Sequence, residues 1–218
     1  MTGLLKVGLT GGIACGRSTV ARSLDRPGWL HIDADRIVHA LLADGGRAAE
    51  PVLETFGSGV KAAGGGVDRR LLAGLVFSDH EARRKLESII HPLVYEVIDS
   101  DIASFEKRTG AGIVVVDAAL MVETGSWRRY HRLVVVHCPP EIQIRRLMAR
   151  DGLGREDARR RIAAQAPLAE KVALADYAID TGSTLEATRQ RASEVAASLE
   201  EDLRALPGLP SRRGGSAS

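Results

Sequence analysis

Gly8-Leu9-Thr10-Gly11-Gly12-Ile13-Ala14-Cys15-Gly16-Arg17-Ser18-Thr19 lies near the start of the chain, between the apolar run Leu5–Thr10 and the helix-compatible run Ser18-Thr19-Val20-Ala21-Arg22-Ser23-Leu24. From Gly11 to Ser18 it has the spacing G-x-x-x-x-G-K-[ST] of the phosphate-cradling P-loop, with Arg17 in place of the lysine. Such a loop works because successive backbone N–H groups in a glycine-rich turn point into one hollow, and the helix that follows adds its positive end. Gly11 and Gly16 are the glycines of the spacing, and Gly12 leaves room for close approach of a phosphate. Ile13, Ala14 and Cys15 supply the amides between them; at Cys15 the backbone matters rather than the thiol. Ser18 is the hydroxyl expected on Mg2+, with Thr19 the next helix residue. A tight strand-to-helix turn would need the same glycines for geometry alone. The strand before, the helix after and the serine in place favour the nucleotide site.

Arg17 keeps the positive charge and can fork onto phosphate oxygens. It is longer, planar and more weakly hydrated than lysine, so the exchange is not conservative. The amides of the cradle do not depend on it. The exchange therefore bears on catalytic geometry more than on binding.

Outward from this loop, five apolar runs read as strands: Leu5–Thr10, Trp29–Asp33, Gly112–Asp117, Arg132–His137 and Tyr177–Asp180. The runs I-V-V-V-D and L-V-V-V-H are continuous rather than alternating, which suits strands buried on both faces of a parallel sheet. Helical patterns between them give the βαβ rhythm of a doubly wound α/β domain. The spacing is uneven. Between Asp33 and Gly112 lie a helix near Arg36–Leu42, a glycine-rich loop at Gly57–Gly66 and a helix near Arg69–Phe77. A long helical stretch follows, Glu81–Lys107, which Pro92 is expected to kink or split. A second helical insertion, rich in arginine, runs from about Glu141 to Ala175, and the tail from Pro207 reads as disordered.

The totals read as a soluble, globular protein rather than a disordered one. The chain has 218 residues, 44% hydrophobic and 27% charged, with a formal net charge of +2. A balance that even gives no reason to expect a nucleic-acid or membrane partner. Two cysteines make no disulfide framework, and no apolar run is long enough to span a bilayer, so a cytoplasmic location is expected.

The stretches G-L-T-G-G-I-x-x-G-x-S-T-V-A and I-D-A-D-R-I-V-H-x-L-L resemble the start of the dephospho-CoA kinase family. The resemblance continues through V-D-R-R-L-L-A-G-L-V-F, L-E-S-I-I-H-P-L-V, D-A-A-L-M-V-E, R-L-M-A-R-D-G-L, R-I-A-A-Q, E-K and A-D-Y-A-I-D-T-G, from Val7 to about Leu199. That family transfers the γ-phosphate of ATP to the ribose 3′-hydroxyl of dephospho-CoA. The resemblance implies a P-loop NTPase core of three layers, α/β/α, around a parallel five-stranded sheet, with a helical substrate-binding insertion and a small helical lid. It places one domain over residues 1–206: core about 1–34, 110–140 and 176–206, substrate part about 35–109, lid about 141–175, and tail 207–218.

Roles follow from the same resemblance, and the chemistry is consistent with them. A hydroxyl acceptor needs a carboxylate to orient it and receive its proton, while cations support the transferring phosphoryl group. Asp33, the first aspartate of D-A-D, is the base candidate and would also touch the acceptor; capping of the next helix by Asp33 or Asp35 is the alternative. Asp117 ends I-V-V-V-D, where a carboxylate holds Mg2+ through water or is simply a satisfied strand end. Arg69 and His91 are candidate acceptor contacts, although a helix-end histidine packed by Pro92 is an ordinary structural feature. Most arginines of the second insertion form a solvated face, with Arg150 the first choice for a catalytic lid cation and Arg146 the second. Thr181 stands where the family has Asn near the adenine, and Ala119-Leu120-Met121 where it has P-L-L. Another small-molecule or nucleoside monophosphate kinase of this class, or a silent ATP-binding module owing to Arg17, remain the alternatives. No N-K-x-D stretch is present to read guanine.

Overall fold

A computed structural model describes residues 3–206; the tail from Pro207 lies outside the described residues. The first strand, β1 (Gly3–Gly11), is buried at both odd and even positions from Val7 to Gly11, which requires that both faces be covered. It is covered because it lies at the centre of a five-stranded sheet of order β2-β3-β1-β4-β5, where β2 is Trp29–Asp33, β3 Ala111–Asp117, β4 Arg132–His137 and β5 Tyr177–Asp180. β1 runs parallel to β3 and to β4, and β4 runs parallel to β5. On one face Leu5, Val7, Leu9, Ile113, Val115, Val134, Val136 and Ile179 form a continuous core with α1 (Arg17–Ser23) and α9 (Leu185–Arg204). Leu4, Val114, Val116, Leu133 and Val135 are buried as well, so the β-branched run of β3 has no solvent side. The strands match the apolar runs closely; β1 and β3 each begin one or two residues earlier than the runs predict.

The chain divides into two compact units. One combines the residues up to Ile32 with those from Phe105 onward and holds the sheet. The other, Asp33–Ser104, is helical. Its first helix, α2 (Ala34–Leu42), starts where the Asp33 carboxylate accepts from the Arg36 N–H at 3.1 Å. α3 (Ala49–Phe56) was not expected from the sequence. Its Pro51 falls in the first turn, where a missing N–H costs no helical bond. The Gly57–Gly66 loop holds a short 3-10 turn at Ser58–Val60 and closes with a bridge between Lys61 and Val67.

α4 (Arg69–Ser78) ends at Asp79, whose carboxylate accepts from the N–H groups of Glu81 and Ala82 and so caps α5 (His80–Thr109). These two bonds hold the Asp79 carboxyl below its usual range. α5 is a single helix, so the expected split at Pro92 does not occur. An internal proline costs about 3 kcal/mol through one lost backbone bond and a clash. Burial of Ile90, Val94, Ile98, Ile102 and Phe105 along one stripe outweighs it.

The segment after β4 forms three helices, α6 (Pro140–Asp151), α7 (Arg155–Ala163) and α8 (Leu168–Ala173). No helix among the described residues is long and apolar enough to cross a membrane.

Pro92 is itself exposed. Pro92→Ala is therefore expected to raise stability by up to about 3 kcal/mol in urea unfolding, because it restores a bond without removing packing. A fall in the midpoint would mean that the ring is needed where it stands.

Candidate functional site

The phosphate loop joins β1 to α1, and its backbone admits few other residues. A Cβ at Gly11 would stand 2.3 Å from the Val136 carbonyl oxygen of β4. Gly16 has φ +83°, a left-handed conformation suited to glycine, and Ala14 also lies at positive φ, +58°. The Gly12 N–H donates to Val136 O, and the Cys15 N–H donates to Gly12 O. The turn is therefore pinned to the neighbouring strand before any side chain acts.

Side chains from the segment after β4 hold it further. Gln143, buried in α6, donates to Ile13 O at 2.8 Å, and Gln165 accepts from the Ile13 N–H at 2.8 Å. Arg146 donates to Thr181 Oγ1 at 3.0 Å and to Thr181 O at 2.7 Å. The Thr181 hydroxyl in turn donates to Cys15 O at 2.7 Å. Thr181 is 2% exposed, so its side chain faces the loop's backbone.

Arg17, the first residue of α1, places Nε 2.9 Å from Asp117 Oδ1 at the end of β3. The structure thus brings together two residues that the sequence singles out separately. Asp117 is 5% exposed, and the guanidinium beside it meets the requirement that a buried charge be paired. Ser18 and Thr19 follow on α1, with Ser18 exposed.

A second cation lies deeper. Lys171 in α8 has no exposed surface. Its ammonium lies 2.7 Å from Glu123 Oε1 and donates longer bonds to Ala119 O at 3.4 Å and Gly11 O at 3.5 Å. Glu123 Oε1 also accepts from the Ala166 N–H at 3.0 Å, and Thr10 Oγ1 donates to Ala119 O at 3.2 Å. The end of β1, the turn after β3 and the start of α8 therefore meet at one buried ion pair. Sequence reasoning quotes Lys171 and Glu123 only within longer motifs and gives them no role. A lysine in the short run E-K-V-A-L-A has nothing to mark it among 30 basic residues.

The other candidates have ordinary local surroundings. Arg150 is exposed and bonds its neighbour Asp151 at 2.7 and 3.1 Å. Four further arginines of that segment form a salt-bridged face: Arg155 with Glu141, Arg159 with Glu156, Arg160 with Asp157 and Arg161 with Asp151. In the helical unit, Asp33 caps α2, whereas Asp35 is exposed in its first turn. Arg69 is the exposed first residue of α4. His91 is half-buried in α5, its ring 5.9 Å from that of Tyr95.

Residues 5–186 match the family model described as dephospho-CoA kinase. A dephospho-CoA kinase of Geobacter sulfurreducens is 40% identical over 189 residues, covering 87% of this chain and 95% of that protein. One from Cutibacterium acnes is 44% identical over 186 residues, covering 84% and 80%. A solved structure of dephospho-CoA kinase from Campylobacter jejuni superposes with a TM-score of 0.66 at 26% identity, over 94% of this chain and all of that one. A Thermus thermophilus crystal structure reaches 0.73 at 33% identity, over 89% and 96%.

Removing one member of a buried ion pair strands the other. Lys171→Met is expected to destabilise the protein by about 3–5 kcal/mol in denaturant titration, and the double variant Lys171→Met, Glu123→Leu to recover much of that loss. A loss in the double variant equal to the sum of the losses in Lys171→Met and Glu123→Leu would show that the pair is not coupled.

Proposed function

The chain belongs to the dephospho-CoA kinase family, and we propose on that footing that it transfers the γ-phosphoryl group of ATP to the ribose 3′-hydroxyl of dephospho-CoA, releasing ADP and CoA. The observation that carries this reading is the strand–loop–helix Gly8–Thr19, with its cation placed against the carboxylate that ends the adjacent strand. Phosphoryl transfer asks little covalent chemistry of a protein; it asks for positioning and for charge where charge spreads.

The amides of the loop other than those of Gly12, Ile13 and Cys15, which bond within the protein, are the cradle for the phosphates of ATP. Arg17 brings the cation that this chemistry requires at its position, and Asp117 restrains the guanidinium plane. Among the described residues no group of three or more His, Cys, Asp or Glu gathers to hold a metal by itself. Mg2+ suits so sparse a donor set, because it keeps several waters and takes phosphate oxygens with one or two protein oxygens. Ser18 Oγ and, through water, Asp117 would hold it, and it would neutralise charge between the β- and γ-phosphates. A carboxylate has acceptor capacity for both Arg17 and a bound water.

Asp33 is assigned as the group that orients the acceptor hydroxyl and takes its proton. The helix cap engages Oδ1 in one hydrogen bond and leaves the carboxylate capacity for more. Arg69 and His91 are assigned to the acceptor. Arg150 is assigned to the lid; its pair with Asp151 is exposed, and such pairs are weak enough to exchange for a phosphate. Arg146 and Thr181 serve the nucleotide from behind the loop, by fixing the Cys15 carbonyl.

A coupled assay for ADP release, with and without dephospho-CoA, tests the reading. ADP release that depends on dephospho-CoA is expected; release driven only by a nucleoside monophosphate or another small alcohol would overturn it.

Two substitutions test the assigned roles. Asp33→Asn is expected to cut turnover about 10²–10⁴-fold while ATP affinity, measured by calorimetry, stays near that of the parent. Turnover near the parent's would reduce Asp33 to a helix cap.

Arg17→Ala is expected to cost far more in kcat than in ATP affinity, because the amides still hold the ground state. Arg17→Lys should retain activity. Steady-state kinetics decide it: an inactive parent with an active Arg17→Lys would mean that Arg17 disables the site.

A further inference from the structure

The only two cysteines of the chain, Cys15 and Cys138, are 123 residues apart in sequence, yet the fold places their sulfurs 3.5 Å from each other. Cys15 lies inside the phosphate loop. Cys138 follows β4 directly and so stands beside the loop because β1 and β4 are neighbours. We propose that this dithiol is a redox-modification site: hydrogen peroxide oxidises the pair to an intramolecular disulfide, which deforms the phosphate loop and lowers its affinity for ATP.

Burial selects the oxidant. Cys15 is 0% and Cys138 3% exposed, so a small uncharged peroxide reaches them where a bulky disulfide does not. The two sulfurs also differ in acidity. Their shared hydrogen bond pulls the Cys138 thiol down to about 7 against the opposing effect of burial, and the nearby Arg146 guanidinium adds to the pull. The same contact, with burial, pushes the Cys15 thiol up. The thiolate is the nucleophile, which makes Cys138 the first sulfur to react.

The Cys138 sulfur attacks one peroxide oxygen, the O–O bond breaks, and the other oxygen takes up a proton and leaves as water. Cys138 is then a sulfenic acid. Cys15 attacks its sulfur, giving up its thiol proton, and the hydroxyl departs as a second water as the S–S bond forms. Both sulfurs are oxidised, one peroxide is reduced, and two waters are released.

The loop is the part that yields. Sulfurs in a disulfide are about 2.0 Å apart, so this pair must close by about 1.5 Å. The β4 end is held, since Val136 O accepts the Gly12 N–H and His137 O accepts the Thr181 N–H. Cys15 is flanked by Ala14 and Gly16, both at positive φ, and its own carbonyl accepts from Thr181. Moving its side chain towards β4 pulls on the Cys15 N–H bond to Gly12 O and turns the Gly16 amide, a donor of the cradle.

The experiment treats the full-length protein with hydrogen peroxide, removes the reagent, and reads thiols, peptide masses and ATP binding. Thiols are expected to fall from two to none per chain, with a Cys15–Cys138 peptide lighter by two hydrogens. ATP affinity should fall at least about tenfold by calorimetry and return with dithiothreitol. Cys138→Ser and Cys138→Ala should each keep their ATP affinity through the same treatment. Unreacted thiols, sulfinic or sulfonic acids without the cross-linked peptide, or a disulfide form that binds ATP undiminished would each overturn the proposal. None of these readouts depends on the identity of the phosphoryl acceptor.

Discussion

A fully buried ammonium is costly, and the architecture around the phosphate loop is arranged so that Lys171 is never without its partner. The desolvation of such a charge is several kcal/mol even after relaxation, and only a close carboxylate with further acceptors offsets it. Glu123 at 2.7 Å supplies the carboxylate, and the carbonyls of Gly11 and Ala119 supply the rest. Each of these belongs to a different stretch of chain, so satisfying one charge fixes where β1 ends, how the chain leaves β3 and where α8 begins. The loop is consequently placed by electrostatics as much as by packing.

Arg17 and Lys171 are two cations set at different depths around the loop. Arg17 is partly exposed and paired at 2.9 Å with Asp117. Lys171 is sealed below, where it sets the backbone. With Gln143 and Gln165 gripping both sides of the Ile13 peptide, the amides are held in place in advance. Preorganisation of this kind is what makes donors effective at a developing charge.

The sheet was legible because its signal is local and redundant. Continuous β-branched runs such as I-V-V-V-D have one good explanation, and the glycine spacing after β1 has nearly one. Elements whose evidence was contradictory were read less well. Pro92 argues for a break, yet a stripe of five buried residues keeps α5 whole. Pro51 argues against a helix, yet it sits where a helix tolerates proline. Within the site, the motif residues announce themselves by spacing. Lys171, Glu123, Gln143 and the nearness of Cys15 to Cys138 do not, because each depends on which strands lie side by side. That order is a property of the whole fold and of no window of sequence.

The strand order has a consequence for how the chain comes into being. β1 is the first strand made, and its two neighbours are β3, which begins at Ala111, and β4, which begins at Arg132. During synthesis the most apolar segment of the phosphate loop's own strand therefore waits, unpaired, while about a hundred residues emerge, a matter of roughly 5–20 s at ordinary elongation rates. The helical unit Asp33–Ser104 is complete before that pairing begins. A contact of such long sequence separation is slow to close and exposes sticky backbone meanwhile. The interval in which the nascent chain carries this unpaired strand therefore ends only once β3 has left the ribosome.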